Sequence, residues 1–187
     1  MLHAQAWRPT VTAAPRITIS QRVPDPFERL FLEEYPKVVA IAYRVLADRS
    51  AAEDVAQEVF LKFHRSLSPD SERASGWLHA AAVHSALNVI RGERRRAQRE
   101  ASHARETAQA AVSSPEGIVE ETERRLEVRR ALSRLPERTA SVLLLRHSGL
   151  SYAEVATALG MKVGNIGTLL RRAEAALRKE VNRATPE

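Results

Sequence analysis

Apolar residues recur at helical spacing along most of this 187-residue chain, and no stretch alternates in the manner of a strand. Asp25-Pro26 opens the first block, in which Phe27, Leu30, Phe31, Tyr35, Val38, Val39, Ala42 and Val45 share a side and Pro36 is placed to kink or split the helix. A second helix is expected from about Ser50, which forms a capping box with Glu53, through Val55, Val59, Phe60 and Phe63 to about Ser66. Ser68-Pro69-Asp70-Ser71 reads as a turn. A third helix begins around Ala74 to Trp77 and runs through Leu78, Ala81, Ala82, Leu87 and Ile90 into Arg91-Gly92-Glu93-Arg94-Arg95-Arg96.

Residues 97–117 are rich in Ala, Ser, Gln and Glu, lack a strong apolar stripe and read as a linker. Helical spacing resumes over 118–134 with Ile118, Leu126, Val128 and Leu132. Pro136-Glu137 then starts a helix carrying Val142, Leu143, Leu144 and Leu145. The expected fold is all-α: a flexible extension over 1–24, one helical domain over 25–96, the linker over 97–117, and a second helical domain over 118–187.

The end of the chain carries the most specific local pattern. Ser151 and Glu154 have the spacing of a capping box, Val155, Ala156 and Leu159 follow on one face, and Gly160 supplies a turn. Beyond it Ile166, Leu170, Ala173 and Leu177 recur at i, i+4, i+7 and i+11, while Asn165, Thr168 and Arg172 project from the other side. This is a helix-turn-helix, with its second helix suited to a major groove.

Charge changes the picture further. The chain has 29 Lys plus Arg against 23 Asp plus Glu, and nearly all the cations are Arg, which suits bidentate phosphate and guanine contacts. Residues 25–72 hold 6 basic and 10 acidic side chains, residues 73–96 hold 5 and 1, and residues 118–187 hold 13 and 9. A first domain polarised in this way can face two different partners, although ordinary solvated charge has the same signature. The absence of cysteine removes disulfides, cysteine zinc sites and thiol catalysis. No apolar run approaches the roughly 20 residues that span a bilayer, and the first residues hold no signal-peptide block. A soluble, cytoplasmic protein without membrane insertion is expected.

Asp54 and Glu58 have neither a His nor a Gly-rich pocket motif beside them, which disfavours acid–base catalysis. His84 has no second ligand that would make a metal site and equally suits packing, and Trp77 reads as core more readily than as a stacking platform. No catalytic residue, metal or cofactor is expected.

Four segments in order carry a family resemblance: Ala52-Glu53-Asp54-Val55-Ala56-Gln57-Glu58-Val59-Phe60, Gly76-Trp77-Leu78, Leu135-Pro136-Glu137-Arg138, and Gly149-Leu150-Ser151-Tyr152-Ala153-Glu154-Val155-Ala156. With them the chain resembles the short bacterial sigma factors of the extracytoplasmic-function group, which have only the sigma-2 and sigma-4 domains. The resemblance covers roughly 25–96 and 118–180 and implies a promoter-specificity subunit, not an enzyme.

It implies that Asp54, Gln57 and Glu58 bind the clamp helices of the largest catalytic subunit of core RNA polymerase. Their spacing of i, i+3 and i+4 places them on one helical face, with Phe60 outside the trio at its edge. It also implies that the third helix opens and holds the promoter −10 element. Arg91, Arg94, Arg95 and Arg96 would form a cationic track, and the loop 67–75 would cradle an extruded base. His84 and Asn88 stand where relatives commonly have Asn and Asp, and both can still hydrogen-bond a base.

For the −35 element the implied readers are Lys162, Asn165, Thr168, Arg171 and Arg172. Many relatives carry Lys and Arg where this chain has Gly167 and Leu169, which implies weaker phosphate attraction and a shifted −35 preference. An anti-sigma factor that holds the two domains shut is a further implied partner. Two rival readings stand beside this one: a conventional helix-turn-helix repressor or activator binding duplex DNA as a dimer, and a protein that sequesters polymerase without initiating.

Overall fold

The computed structural model describes residues 25–106 and 119–183, so the expected extension over 1–24, most of the linker and the apolar position Ile118 lie outside the described residues. The described residues form seven helices and no strand: α1 (Pro26–Leu46), α2 (Arg49–Ser66), α3 (Ala74–Glu106), α4 (Val119–Arg134), α5 (Glu137–His147), α6 (Tyr152–Leu159) and α7 (Val163–Asn182). Helix α3 continues past Arg96, where the linker was expected to begin, as far as Glu106.

Local chemistry explains most helix ends. Asp25 caps α1 by accepting from the amide of Phe27 at 3.1 Å, and Pro26 occupies the first turn, where its missing N–H costs nothing. Pro36 neither splits nor ends α1. Leu32, whose carbonyl would have received its amide, lies with Pro36 on the solvent face, so water can take the vacant acceptor.

The expected Ser50–Glu53 capping box does not form. Ala47 turns into the left-handed region at φ 54°, and Asp48 caps α2 instead, accepting from the amide of Ala51 at 2.8 Å. Glu53 pairs with Arg49 at 2.9 Å. An Asp ahead of the Ser took the cap, and the helix starts before Ser50.

Helices α1 and α2 pack on each other and on α3. Phe27, Phe31 and Tyr35 of α1 meet Phe60 of α2 in a ring cluster, with Phe31 and Phe60 edge-on at a centroid distance of 4.9 Å. Phe63 is fully buried and lies 5.6 Å from the ring of Trp77, which places Trp77 against the core.

Two polar side chains of this module, Glu34 and His79, are buried among these apolar contacts. Glu34 is 2% exposed, yet both of its oxygens are satisfied: Oε1 accepts from Ser75 at 3.1 Å and Lys37 at 2.9 Å, and Oε2 meets His79 Nε2 at 2.8 Å. The cluster ties α1 to the first turns of α3.

Helices α4 to α7 form the second module, built on Ala140, Val142, Leu143, Leu145, Val155, Ile166 and Ala173. Its apolar core is continuous with that of the first module. Helix α3 is the element they share, packing against α1 and α2 on one side and α4, α5 and α6 on the other. Gly76 permits a close approach: a Cβ there would sit 3.4 Å from the backbone of Ala158 in α6.

The Glu34 cluster makes stability depend on pH. Burial alone would raise the pKa of Glu34, but the hydrogen bonds and charges of Lys37 and His79 outweigh it and hold the carboxyl below its ordinary value of 4.5. A depressed folded-state pKa contributes stability that is fully present above about pH 4.5 and is lost as pH falls through the folded value. Glu34→Gln should therefore lose roughly 2–3 kcal/mol at pH 7, less than a fully buried pair because Lys37 is half exposed. Urea midpoints of variant and parent should converge as pH drops below that range.

Candidate nucleic-acid interface

Three surfaces hold the residues expected to carry function, and each is set by helical geometry. On α2, Asp54, Gln57 and Glu58 are exposed together, while Val55, Ala56, Val59, Phe60 and Phe63 turn inward. Phe60 is thus not at the edge of the acidic trio; it belongs to the ring cluster of the core. Glu58 is bridged by Lys62 at 2.6 Å. Leu61, at i+7 from Asp54, adds an apolar side chain, 59% exposed, to the same face. The sequence reading missed it, although its spacing from Asp54, Gln57 and Glu58 was there to be seen.

On α7, the division between core and surface follows the expected stripe. Ile166, Leu170 and Ala173 are buried, and Leu177 packs partly against the core. Lys162, Asn165, Thr168, Arg171 and Arg172 are all exposed. The helix is aimed by what precedes it. Ser151 and Glu154 form a reciprocal capping box that starts α6, and Gly160 at φ 61° ends it, with the amide of Met161 bonded to the carbonyl of Ala156 at 2.8 Å.

The two positions that depart from the family pattern are half-buried on this helix. Leu169 packs against the core, and a Cβ on Gly167 would meet the ring of Tyr152 at 3.5 Å. Arg146 in turn lies over that ring, 5.7 Å from its centroid.

On α3, the expected readers of single-stranded DNA have found partners within the chain. Asn88 Nδ2 lies 2.9 Å from His84 Nε2, and His84 Nδ1 lies 2.5 Å from Glu137 Oε1. Arg91 is only 17% exposed; it donates to the carbonyl of Leu135 at 3.0 Å and to Glu137 Oε2 at 3.4 Å. Arg94 donates to the carbonyl of Ser133 at 3.3 Å. Arg95 and Arg96 remain exposed. The hydrogen bond from His84, with the charges of His84 and Arg91, outweighs burial and lowers the pKa of Glu137.

So the structure gathers His84, Asn88, Arg91 and Arg94 around the α4–α5 junction and leaves Arg95 and Arg96 outside that group. The sequence reading did not assign Glu137 a part here, because nothing local links it to a helix so far back in the chain. Among the described residues no cluster of His, Asp or Glu could hold a metal ion, and no helix is long and apolar enough to cross a membrane.

Residues 30–96 match the family model of Sigma-70 region 2, and residues 125–177 match that of Sigma-70 region 4. The chain is 32% identical over 164 residues to the RNA polymerase sigma-H factor of Pseudomonas aeruginosa, covering 82% of this chain and 84% of that one. It is 30% identical over 167 residues to the ECF RNA polymerase sigma-E factor of Escherichia coli, covering 83% and 86% respectively. This chain is an ECF sigma factor.

As a sigma factor it is a DNA-binding initiation subunit and not an enzyme. It is also 29% identical over 172 residues to the ECF RNA polymerase sigma factor SigE of Mycolicibacterium smegmatis, covering 91% of this chain and 67% of that one. A solved structure of the sigma factor RpoE from Bartonella quintana, in complex with the anti-sigma factor NepR, is similar at a TM-score of 0.47 and 21% identity, over 83% of this chain and 96% of that one.

In this sigma factor Gly167 needs no backbone freedom of its own, because it sits inside α7 and the space beside it ends in ordinary contact with the Tyr152 ring. Gly167→Ala should therefore stabilise the protein by about 0.5–1 kcal/mol, the helix-propensity difference. A thermal melt checks this; a fall in Tm would show that the Tyr152 contact leaves no room for a methyl group.

Proposed function

We propose that this sigma factor joins core RNA polymerase through α2, reads −35 duplex DNA through α7, and holds the opened −10 strand along α3. The observation that carries this division is the separation of charge between two exposed helix faces. An acidic face with one exposed leucine on α2 suits a protein partner, and a face of Lys162, Arg171 and Arg172 interleaved with Asn165 and Thr168 suits a duplex.

Under this assignment Asp54, Gln57 and Glu58 contact the clamp helices of the largest catalytic subunit. Lys162, Arg171 and Arg172 contact phosphates, and Asn165 and Thr168 reach base edges. His84 and Asn88 hydrogen-bond an extruded base, with Arg91, Arg94, Arg95 and Arg96 as its cationic track. The protein works in the cytoplasm beside the polymerase, and family membership implies an anti-sigma factor as a further partner.

Transcription with purified core enzyme on genomic fragments tests the reading, which requires promoter-specific transcripts that depend on the added chain. Replacing both Asp54 and Glu58 by Ala should weaken core binding by about tenfold, the worth of two exposed charge contacts, and leave −35 duplex binding intact. Equal losses in the two assays would remove α2 from the polymerase interface.

Replacing Arg171 and Arg172 by Ala should lower the slope of log affinity against log salt for −35 duplex by about two, one for each lost phosphate contact. An unchanged slope would place those arginines off the backbone.

A further inference from the structure

A groove of about 370 Å³ lies between the end of α1 and α4, and no residue assigned above to the polymerase or to DNA lines it. Four arginines converge on it: Arg44 from the last turn of α1, and Arg124, Arg125 and Arg129 from α4. No carboxylate lines it, although Glu123 and Glu127 belong to the same stretch of α4.

Each helix presents its cations for a local reason. Arg44 complements the negative end of the α1 dipole. On α4, Arg124, Val128 and Leu132 recur at i, i+4 and i+8, with Arg125 and Arg129 one residue on from the first two, so one face is both cationic and apolar. Arg129 is partly committed, donating to Glu93 of α3 at 2.8 Å. Arg44 and Arg124 are exposed, and among the described residues neither side chain has an ion-pair partner. The rest of the lining is apolar: Ala47, Val128, Leu132 and the ring of Tyr43, which is 45% exposed.

A run of arginines on one helix is ordinarily a solvated face. Cations brought together from two helices around an apolar slot are a different arrangement, because a cleft lined by one sign of charge concentrates ions of the other. Guanidinium forks bind phosphate oxygens bidentately, and an aromatic ring beside them offers a stacking face to a planar base. The volume lies in the range of small-molecule sites.

We propose that the groove between α1 and α4 binds a nucleoside polyphosphate. Arg44 and Arg124 hold its phosphates from the two helices, Arg125 and Arg129 add donors, and Tyr43 stacks on the base. The site does not depend on the promoter and polymerase assignments made above. A ligand held in this way joins α1 to α4 and stabilises the folded chain.

Titration calorimetry on the full-length chain tests this, with guanosine triphosphate and adenosine triphosphate as probes and guanosine and inorganic tripolyphosphate as controls. Both nucleotides should bind saturably and raise Tm, guanosine should not bind, and tripolyphosphate should bind several-fold more weakly than either nucleotide. Replacing Arg44 and Arg124 together by Ala should lower nucleotide affinity by about tenfold or more, with Tm in the absence of ligand unchanged because both side chains are exposed. Tyr43→Ala should weaken nucleotide binding and leave tripolyphosphate binding as it was. Replacing Arg171 and Arg172 of α7 by Ala should alter neither, which separates the groove from general attraction to a chain of net charge +6.

Absence of saturable binding overturns the proposal. So does binding that survives the loss of Arg44 and Arg124, since the anion then sits elsewhere. If tripolyphosphate matches the nucleotides and Tyr43→Ala affects neither, the nucleoside half of the assignment is wrong. If a short single-stranded oligonucleotide displaces the nucleotide and depends equally on Arg44 and Arg124, the groove belongs to a nucleic-acid backbone and the small-ligand reading falls.

Discussion

Ala82, Val83, Ala86 and Leu87 are all fully buried on α3, which packs against helices of both modules. Besides α1 and α2, helices α4, α5 and α6 pack against α3. The constraint behind the architecture is therefore double coverage of one helix: α3 must present a stripe to each module at once. Its small residues make this possible. Ala82 and Ala86 are fully buried, and Gly76 lets α6 approach to backbone contact.

The buried carboxylate of the first module is fully satisfied by its neighbours. Glu34 bridges α1 to Ser75 and His79 of α3, and both of its oxygens are bonded. Glu154, at the start of α6, also senses the positive charge of His79 and Lys37, although its pKa is lowered chiefly by its bonds with Ser151. Charges from α1, α3 and α6 thus influence one another where the two modules meet. Among the described residues only the hydroxyl of Ser148 is a buried side-chain polar atom without a partner.

Two arginines of α3 are engaged by a helix end of the same chain. Guanidinium groups that suit phosphates also suit the free carbonyls of a helix end, since both are outward oxygen acceptors with negative charge. On α3 it is the helix-end carbonyls that Arg91 and Arg94 meet. On α7, among the described residues, no such partner meets Arg171 and Arg172, and both are exposed.

Features governed by neighbouring residues were legible in the sequence. The caps by Asp25 and by Ser151 with Glu154, the turn at Gly160, and the inward stripe of Ile166, Leu170 and Ala173 all depend on bonds or spacings within a turn or two. The error at Ser50 was also local, because Asp48 competed for the same role and took it. The burial of Phe60 and the half-burial of Leu169 depended on which neighbours the helices meet, and so did the pairing of His84 and Arg91 with Glu137. The sequence by itself determined the helices, their ends and the residue types on each face, since backbone hydrogen bonds and side-chain periodicity are short-range. Only the tertiary structure decided that α3 is covered twice and that Arg91 and Arg94 are engaged, because those contacts join residues some 40 positions apart that nothing but packing brings together.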